Sequence, residues 1–298
     1  MNLIYLLILS MVLWGISWTV GKTLSSTMPP EVLIFWRNLF TVLSLLPAVY
    51  IFKKKFSFSW KGTGYATLGA ILMTFYNFLF FWGLKLGFAG LGGVLVTTLN
   101  PLFNFLFLVI LGKYSISKKE TFALFLGFLG GIFTLQLWNF KMENFLLGGN
   151  GFFLLGSIVW AILTILSSNS NSSIHPMNYS FQLYAIATVL SFVPAYLANG
   201  LETKGMDFNF WMGIFYLSAI STGFATTVYF IASSQLGSHV SSSYVFLVPF
   251  SAVLTSSIVL GEIPSGYTII GGTLAITAVQ IIQYSQRRKK KFELIEPS

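Results

Sequence analysis

Cysteine is absent from the 298 residues, which excludes disulfides, thiolate metal sites and thiol catalysis. Charge is scarce as well: Asp, Glu, Lys and Arg make up 8% of the chain, against about a quarter in a soluble domain. Histidine occurs only at His175 and His239, both at or close to expected loops, and no Asp or Glu falls deep within an apolar run. Metal or hydrolytic chemistry needs clustered His, Asp, Glu or Cys, so no catalytic residue, metal ligand or cofactor is expected. The chain also lacks a GxxxxGK[ST] phosphate loop, so ATP does not drive it directly.

What remains is mostly oil. Hydrophobic residues form 55% of the chain, aromatics 17%, and mean hydropathy is +0.78. Apolar runs of about 20 residues, long enough to cross a bilayer core as helices, recur ten times: Leu3 to Val20, Glu31 to Phe52, Thr63 to Leu84, Leu91 to Leu111, Thr121 to Leu137, Gly149 to Leu166, Met177 to Leu197, Phe208 to Ser233, Val240 to Leu260 and Tyr267 to Tyr284. The expected fold is an all-α integral membrane protein of ten transmembrane helices. The first run opens MNLIYLLILS, with no basic leader before it and no small-residue cleavage site after it, and is read as a retained helix.

A net charge of +9 raises the question of a nucleic-acid partner, but the basic residues sit in loops and tails beside the runs, where orientation and anionic headgroups account for them. The expected partners are a small-molecule substrate and the lipid bilayer, with the chain a monomer or weak dimer. An even number of spans places both ends on one side, and the tail QRRKKK marks that side as the cytoplasm. Alternating from there puts twelve Lys and Arg inside and four outside, with Arg37 left within a span. The chain is therefore expected to be multi-pass in the cytoplasmic (inner) membrane.

The two halves repeat one another. LWGIS (13–17) answers VWAIL (159–163), SLLPAVY (44–50) answers SFVPAYL (191–197), FFWGLKLG (80–87) answers FIASSQLG (230–237), and LNPLFNFLFLVILGK (99–113) answers LVPFSAVLTSSIVLGE (247–262). The order is the same in both halves, which supports two five-helix repeats, 1–145 and 146–285, followed by a basic cytoplasmic tail, 286–298. An odd number of helices per repeat inverts the second copy, and charge agrees: KYSISKKE is lysine-rich while its counterpart GEIPSGY has no basic residue. Inverted repeats characterise secondary transporters, whose two units rock about a midplane site.

With these motifs in hand, the sequence resembles the drug/metabolite transporter superfamily, and within it the EamA-type exporters. The resemblance rests on Trp-Gly and Trp-Ala near the start of the two repeats, Pro29-Pro30 followed by WRN at 36–38, NPLF at 100–103, VPFSA at 248–252, and LGE at 260–262 followed by GYTIIGGTLAI. It implies a proton-driven or facilitative carrier that exports amino acids or related metabolites. It also implies a central cavity built mainly from the third, fourth, eighth and ninth helices, with help from the first and sixth. The sequence departs from the pattern at Lys113, where the first repeat would carry the acid that Glu262 supplies in the second.

The residues themselves suggest what lines such a cavity. Thr97, Asn100 and Asn104 fall at i, i+3 and i+7 on one face of the fourth helix. Unpaired carboxamides in lipid cost several kcal/mol, so this face meets protein or water. Pro101 frees a carbonyl one turn earlier, and Pro249 repeats that break in the second copy. The eighth helix carries a ridge of Ser218, Thr222, Thr226, Tyr229 and Ser233; the third offers Thr74, Tyr76 and Asn77, and the ninth Ser241, Ser242, Ser243 and Tyr244. Interhelical hydrogen bonding would satisfy many of these groups equally well.

Arg37 lies about 10 Å deep in its span, where it could grip a substrate carboxylate with paired hydrogen bonds, snorkel outward, or cap free carbonyls. Trp14 and Trp160, related by the repeat, are pocket candidates suited to an apolar or aromatic substrate. Glu31 and Glu262 are the acids available for coupling, both near an outer rim. Because a buried carboxylate relay is missing, facilitated diffusion or exchange by alternating access is expected, in the export direction. Lipid or amphiphile flipping and proton-coupled multidrug efflux are the alternatives.

Overall fold

The computed structural model describes residues 3–51, 58–113, 116–135, 138, 148–203 and 205–295, without side-chain placement at 134, 135, 275, 279, 283 and 286–295. Every regular element among them is helical. In chain order these are α1 (Leu3–Ser25), α2 (Pro30–Ile51), α3 (Trp60–Leu86), α4 (Ala89–Ile110), α5 (Lys118–Leu135), α6 (Asn150–Ser170), α7 (Pro176–Leu197), α8 (Phe208–Leu236), α9 (Ser238–Leu260) and α10 (Gly266–Ile295). Eight of them, α1 to α4 and α6 to α9, are long and apolar enough to cross a membrane. The apolar part of α10 ends at Ile282, and α5 opens with Lys118, Lys119 and Glu120.

The helix ends follow local chemistry. Ser59, Asp207 and His175 cap α3, α8 and α7 by accepting from Gly62 N, Phe210 N and Met177 N at 3.2, 2.8 and 3.2 Å. At the start of α5, Ser117 N–H and Oγ–H both donate to Glu120 at 2.9 and 2.8 Å, a reciprocal box that accounts for a carboxylate with no exposed surface. Lys22, Lys61, Lys85, Lys118 and Lys119, expected in loops, instead occupy the end turns of helices, because their long stems let an apolar helix run on while the ammonium reaches a polar level. The expected loop lysines at 53–55, 141 and 204, and the expected span ends at Phe52 and Leu137, lie outside the described residues.

The principal helix pairings cross between halves: α1 packs on α9 and α8, α4 on α6 and α9, α3 on α6 and α7, α2 on α7 and α8, and α5 on α10. Exchanging α1–α5 for α6–α10 leaves this set unchanged. Small residues allow the closest seam. A Cβ on Gly15 of α1 would collide with Ser251 Oγ and sit 2.7 Å from Ala252 N of α9, and one on Gly93 of α4 would sit 2.6 Å from Ala252 Cβ. Without an apolar driving force between helices in lipid, such close backbone approach holds them together. Large apolar side chains such as Val189, Leu197, Phe208 and Ile258 remain exposed and form the outer belt.

At one end of the bundle the α3–α4 junction is tied down by two charges. Lys22 Nζ donates to the carbonyls of Leu84 and Gly87, both at 2.7 Å. Gly261, at φ 68°, turns the chain after α9 so that the Glu262 carboxylate accepts from Ala89 N and Gly90 N at 3.0 and 2.9 Å. These amides open α4 and have no intrahelical partner, and the helix dipole favours the negative charge. The side chain of Lys113, the counterpart of Glu262, makes an exposed 3.3 Å bond to Asn169 Oδ1.

Gly15→Val should overpack the α1–α9 seam at a cost of about 1–3 kcal/mol, read as a lower thermal unfolding midpoint of the purified protein in detergent. By the same measurement, Glu262→Ala should cost about 0.5–2 kcal/mol through the lost helix cap, while Lys113→Ala stays within about 0.5 kcal/mol of wild type. Equal effects at 262 and 113 would contradict the capping role.

Candidate functional site: a polar chamber at the seam of the two halves

Where the crossing helices meet, they leave a cavity of about 40 Å³. Seven of the residues expected from the sequence line it: Trp14 (α1), Arg37 (α2), Tyr76 (α3), Thr97 and Asn100 (α4), Trp160 (α6) and Thr226 (α8). Its walls thus come from α1, α3, α4, α6, α8 and α9, as the resemblance implied, with α2 added through Arg37. At about 10–15 Å³ per water, the space holds roughly three waters. That is too little room for a molecule of metabolite size.

One side of the chamber is aromatic. The repeat-related Trp14 and Trp160 meet edge to face at a 5.1 Å centroid distance, Tyr76 packs on Trp160 at 4.7 Å, and Tyr229 supports Trp14 from behind at 4.8 Å. These separations suit the ring quadrupoles. Tyr229 does not line the cavity: fully buried, it shares a 3.0 Å hydrogen bond with Thr164 Oγ1. Tyr244 is likewise buried in packing and is absent from the lining.

The other side is cationic and amide-rich. Arg37 is 8% exposed, so it does not snorkel. Its Nε donates to Thr222 Oγ1 at 3.0 Å and its Nη1 to Asn77 Oδ1 at 3.2 Å, while its guanidinium lies 5.4 and 5.7 Å from the ring centres of Phe80 and Phe81. Asn77 in turn donates to Asn38 Oδ1 at 3.4 Å, and Asn38 to Ser191 Oγ at 3.3 Å. Thr222 and Asn77 therefore orient the arginine from outside the cavity rather than facing it. The Arg37 contacts are all to neutral groups; among the described residues it has no ion pair.

The α4 stripe is only partly a lining. Thr97 and Asn100 reach the cavity, and Asn104, one turn further, does not. Both asparagines are fully buried, and neither carboxamide has a hydrogen-bond partner among the described residues. Nor is the proline break symmetric. Helix α4 continues unbroken through Pro101, whereas α9 is interrupted by a 3₁₀ turn at Val245–Leu247 just before Pro249. Pro249 sits at the start of a helical segment, where its missing N–H costs nothing, so the second copy yields at this point and the first does not.

Within α8 the backbone widens into a π-helix over Tyr216–Thr226. The hydroxyls of Thr222 and Thr226 accordingly donate five residues back, to Leu217 O at 2.6 Å and Ser221 O at 3.2 Å. Trp14 Nε1 donates to Ser221 O at 3.1 Å and Thr226 Oγ1 at 3.3 Å, so the widened turn holds the indole in place. π-helical turns gather at functional sites. Ser221, which this turn brings to the cavity, was not expected from the sequence, and no residue pattern announces it. Ser17, Trp18 and Phe80, also in the lining, had a signal: they lie three and four residues beyond Trp14 and four beyond Tyr76.

Glu31, in the first turn of α2, and Glu262, bound to the start of α4, both lie off the chamber. Larger hollows lie at the periphery, two of them beside α9. One, of about 330 Å³, contains Glu262; the other, an apolar groove of about 390 Å³ between α9 and α10, shares no residue with the chamber.

Comparison with known proteins places this arrangement. A solved crystal structure superposes with a TM-score of 0.69 at 17% identity, covering 95% of this chain and 97% of that one, which supports the fold. An uncharacterized transporter of Archaeoglobus fulgidus is 24% identical over 293 residues, 95% of this chain and 98% of that protein. The uncharacterized transporter YyaM of Bacillus subtilis is 22% identical over 229 residues, 76% of this chain and 74% of that one. The profile of the EamA-like transporter family matches twice, at residues 1–136 and 147–284, and the chain is a member of the EamA-like transporter family.

Proposed function

We propose that this transporter carries a small metabolite across the cytoplasmic membrane by alternating access, as a facilitator or exchanger, in the export direction. The two five-helix units, 1–145 and 146–285, would be inverted copies with both termini cytoplasmic and residues 286–298 as a basic tail. The observation that carries this reading is the convergence of Arg37, the unpartnered Asn100 carboxamide and the repeat-related pair Trp14 and Trp160 on one cavity at the seam of the halves. Polar groups are tolerated in a membrane bundle where they surround a wet pathway, and a seam between repeats is where such a pathway opens and closes.

Further support comes from the helix pairings, which are unchanged on exchange of the halves, and from the charge alternation of the loops. Proton coupling through the site would use a carboxylate, and the lining contains none among the described residues. Lipid flipping would use a polar track opening sideways, whereas the groove between α9 and α10 is apolar and separate from the polar residues. A soluble metabolite therefore fits better than a lipid headgroup.

In proteoliposomes tested with a panel of amino acids, organic acids, amines and nucleosides, at least one compound should show accelerated exchange. Asn100→Leu should slow that exchange at least about tenfold, equivalent to about 1.4 kcal/mol, with unchanged expression. Tyr229→Phe, whose hydroxyl faces Thr164 and not the cavity, should stay within about threefold of wild type. Unaltered exchange in Asn100→Leu would remove the chamber from the transport path.

The cysteine-free sequence permits a second test. Single cysteines at 113 and 262 should react with a membrane-impermeant thiol reagent from opposite sides, cytoplasmic for 113 and external for 262. Labelling of both from one side would rule out inversion.

A further inference from the structure

We propose that the chamber selects a monoanion: a metabolite carrying one carboxylate on an apolar or aromatic body, with no compensating ammonium. This rests on the transporter reading above and names the chemistry of its substrate. Charge balance in the chamber points to this class. Arginine stays protonated in proteins and offers five N–H donors; two of those on Arg37 are engaged, by Thr222 and Asn77, leaving three for an occupant. With the residue 8% exposed and its partners neutral, the empty chamber holds one uncompensated positive charge. Desolvating such a charge is costly, and the cost is recovered only by an opposite charge in good geometry.

A carboxylate supplies that charge with two parallel acceptors, the shape a guanidinium fork binds best. The remaining lining agrees. Asn100 Nδ2, Trp160 Nε1 and Ser221 Oγ are buried groups able to donate to a carboxylate and have no partner among the described residues; Asn100 Oδ1, which can only accept, is unpartnered beside them. A zwitterion would place its carboxylate at Arg37 yet leave the site with a net positive charge, and would bring an ammonium to a lining that offers it no acid. The aromatic faces of Trp14 and Trp160 could attract that ammonium, but two cations would then share one small desolvated space. A monoanion with a ring or hydrocarbon body satisfies both sides at once.

The test holds the body constant and varies the charge: phenylpropionate (anion), phenylalanine (zwitterion), phenethylamine (cation) and phenylpropionamide (neutral). Binding to the purified protein in nanodiscs is followed by quenching of intrinsic tryptophan fluorescence, and counterflow is measured in liposomes. Phenylpropionate should bind at least tenfold more tightly than the other three in the wild-type protein, a comparison that needs no variant. Arg37→Gln should erase that preference, lowering affinity for the acid while leaving the amide unchanged, and Arg37→Lys should restore part of it. The proposal is overturned if phenylalanine or phenethylamine binds as tightly as the acid, if no probe binds, or if a monodisperse Arg37→Gln protein keeps the preference. Should phenylalanine or the amine exchange in liposomes while the acid does not, transport stands and only the anion assignment falls. If nothing in the wider panel exchanges, the transporter reading itself fails.

Discussion

Hydrocarbon offers no hydrogen bonds, and the rest of this structure follows from where its polar groups go instead. Backbone groups are absorbed by helices, the one element that satisfies itself along its own length. Most hydroxyls fold back on the preceding turn, as Thr41 does on Arg37 O at 2.7 Å and Ser191 on Ala187 O at 2.7 Å, and so disappear from the account. What cannot be absorbed locally is pressed to the middle, where helices of both halves cross. The chamber gathers three of these unsatisfied residues, Asn100, Trp160 and Ser221, beside the Arg37 guanidinium.

The same constraint explains how much could be read in advance. Ten runs of apolar residues are visible because membrane solvation is a composition signal, and all ten reappear as helices. Boundaries slipped by several residues wherever lysine stems let a helix run past the end of its oil, as at Lys22 and Lys118. Trp14, Arg37, Asn100 and Trp160 were legible because each is costly at its depth and spaced to share a face or a repeat position. Asn104 and Tyr244 are equally costly yet turn into packing, since spacing fixes a face but not what sits opposite it. The π-helical stretch of α8 was invisible: its sequence, YLSAISTGFAT, carries no breaker, and the partners that meet its Ser221 carbonyl, Trp14 from α1 and Thr226 five residues on, are not marked by any local pattern.

Arg37 is embedded in a chain of neutral supports running through Asn77, Asn38 and Ser191. Each link is long, between 3.2 and 3.4 Å, but together they fix the carboxamide orientations so that the Asn77 oxygen faces the guanidinium and the Asn38 oxygen faces Asn77 Nδ2. Thr222 contributes from the opposite side, its own proton committed to Leu217 O, which leaves a lone pair for Arg37 Nε. The charge is thus held in position by neutral groups alone.

Glu262 and Lys113 occupy corresponding places yet behave differently, one capping a helix and the other facing solvent. Two identical halves would tie both helix starts alike. An acid at 262 and a lysine at 113 break that likeness: the start of α4 is held by a carboxylate cap worth about 1 kcal/mol, and Lys113 supplies no such cap to the other half. A single divergence between the copies thus leaves a pseudosymmetric bundle with one end tied more firmly than the other.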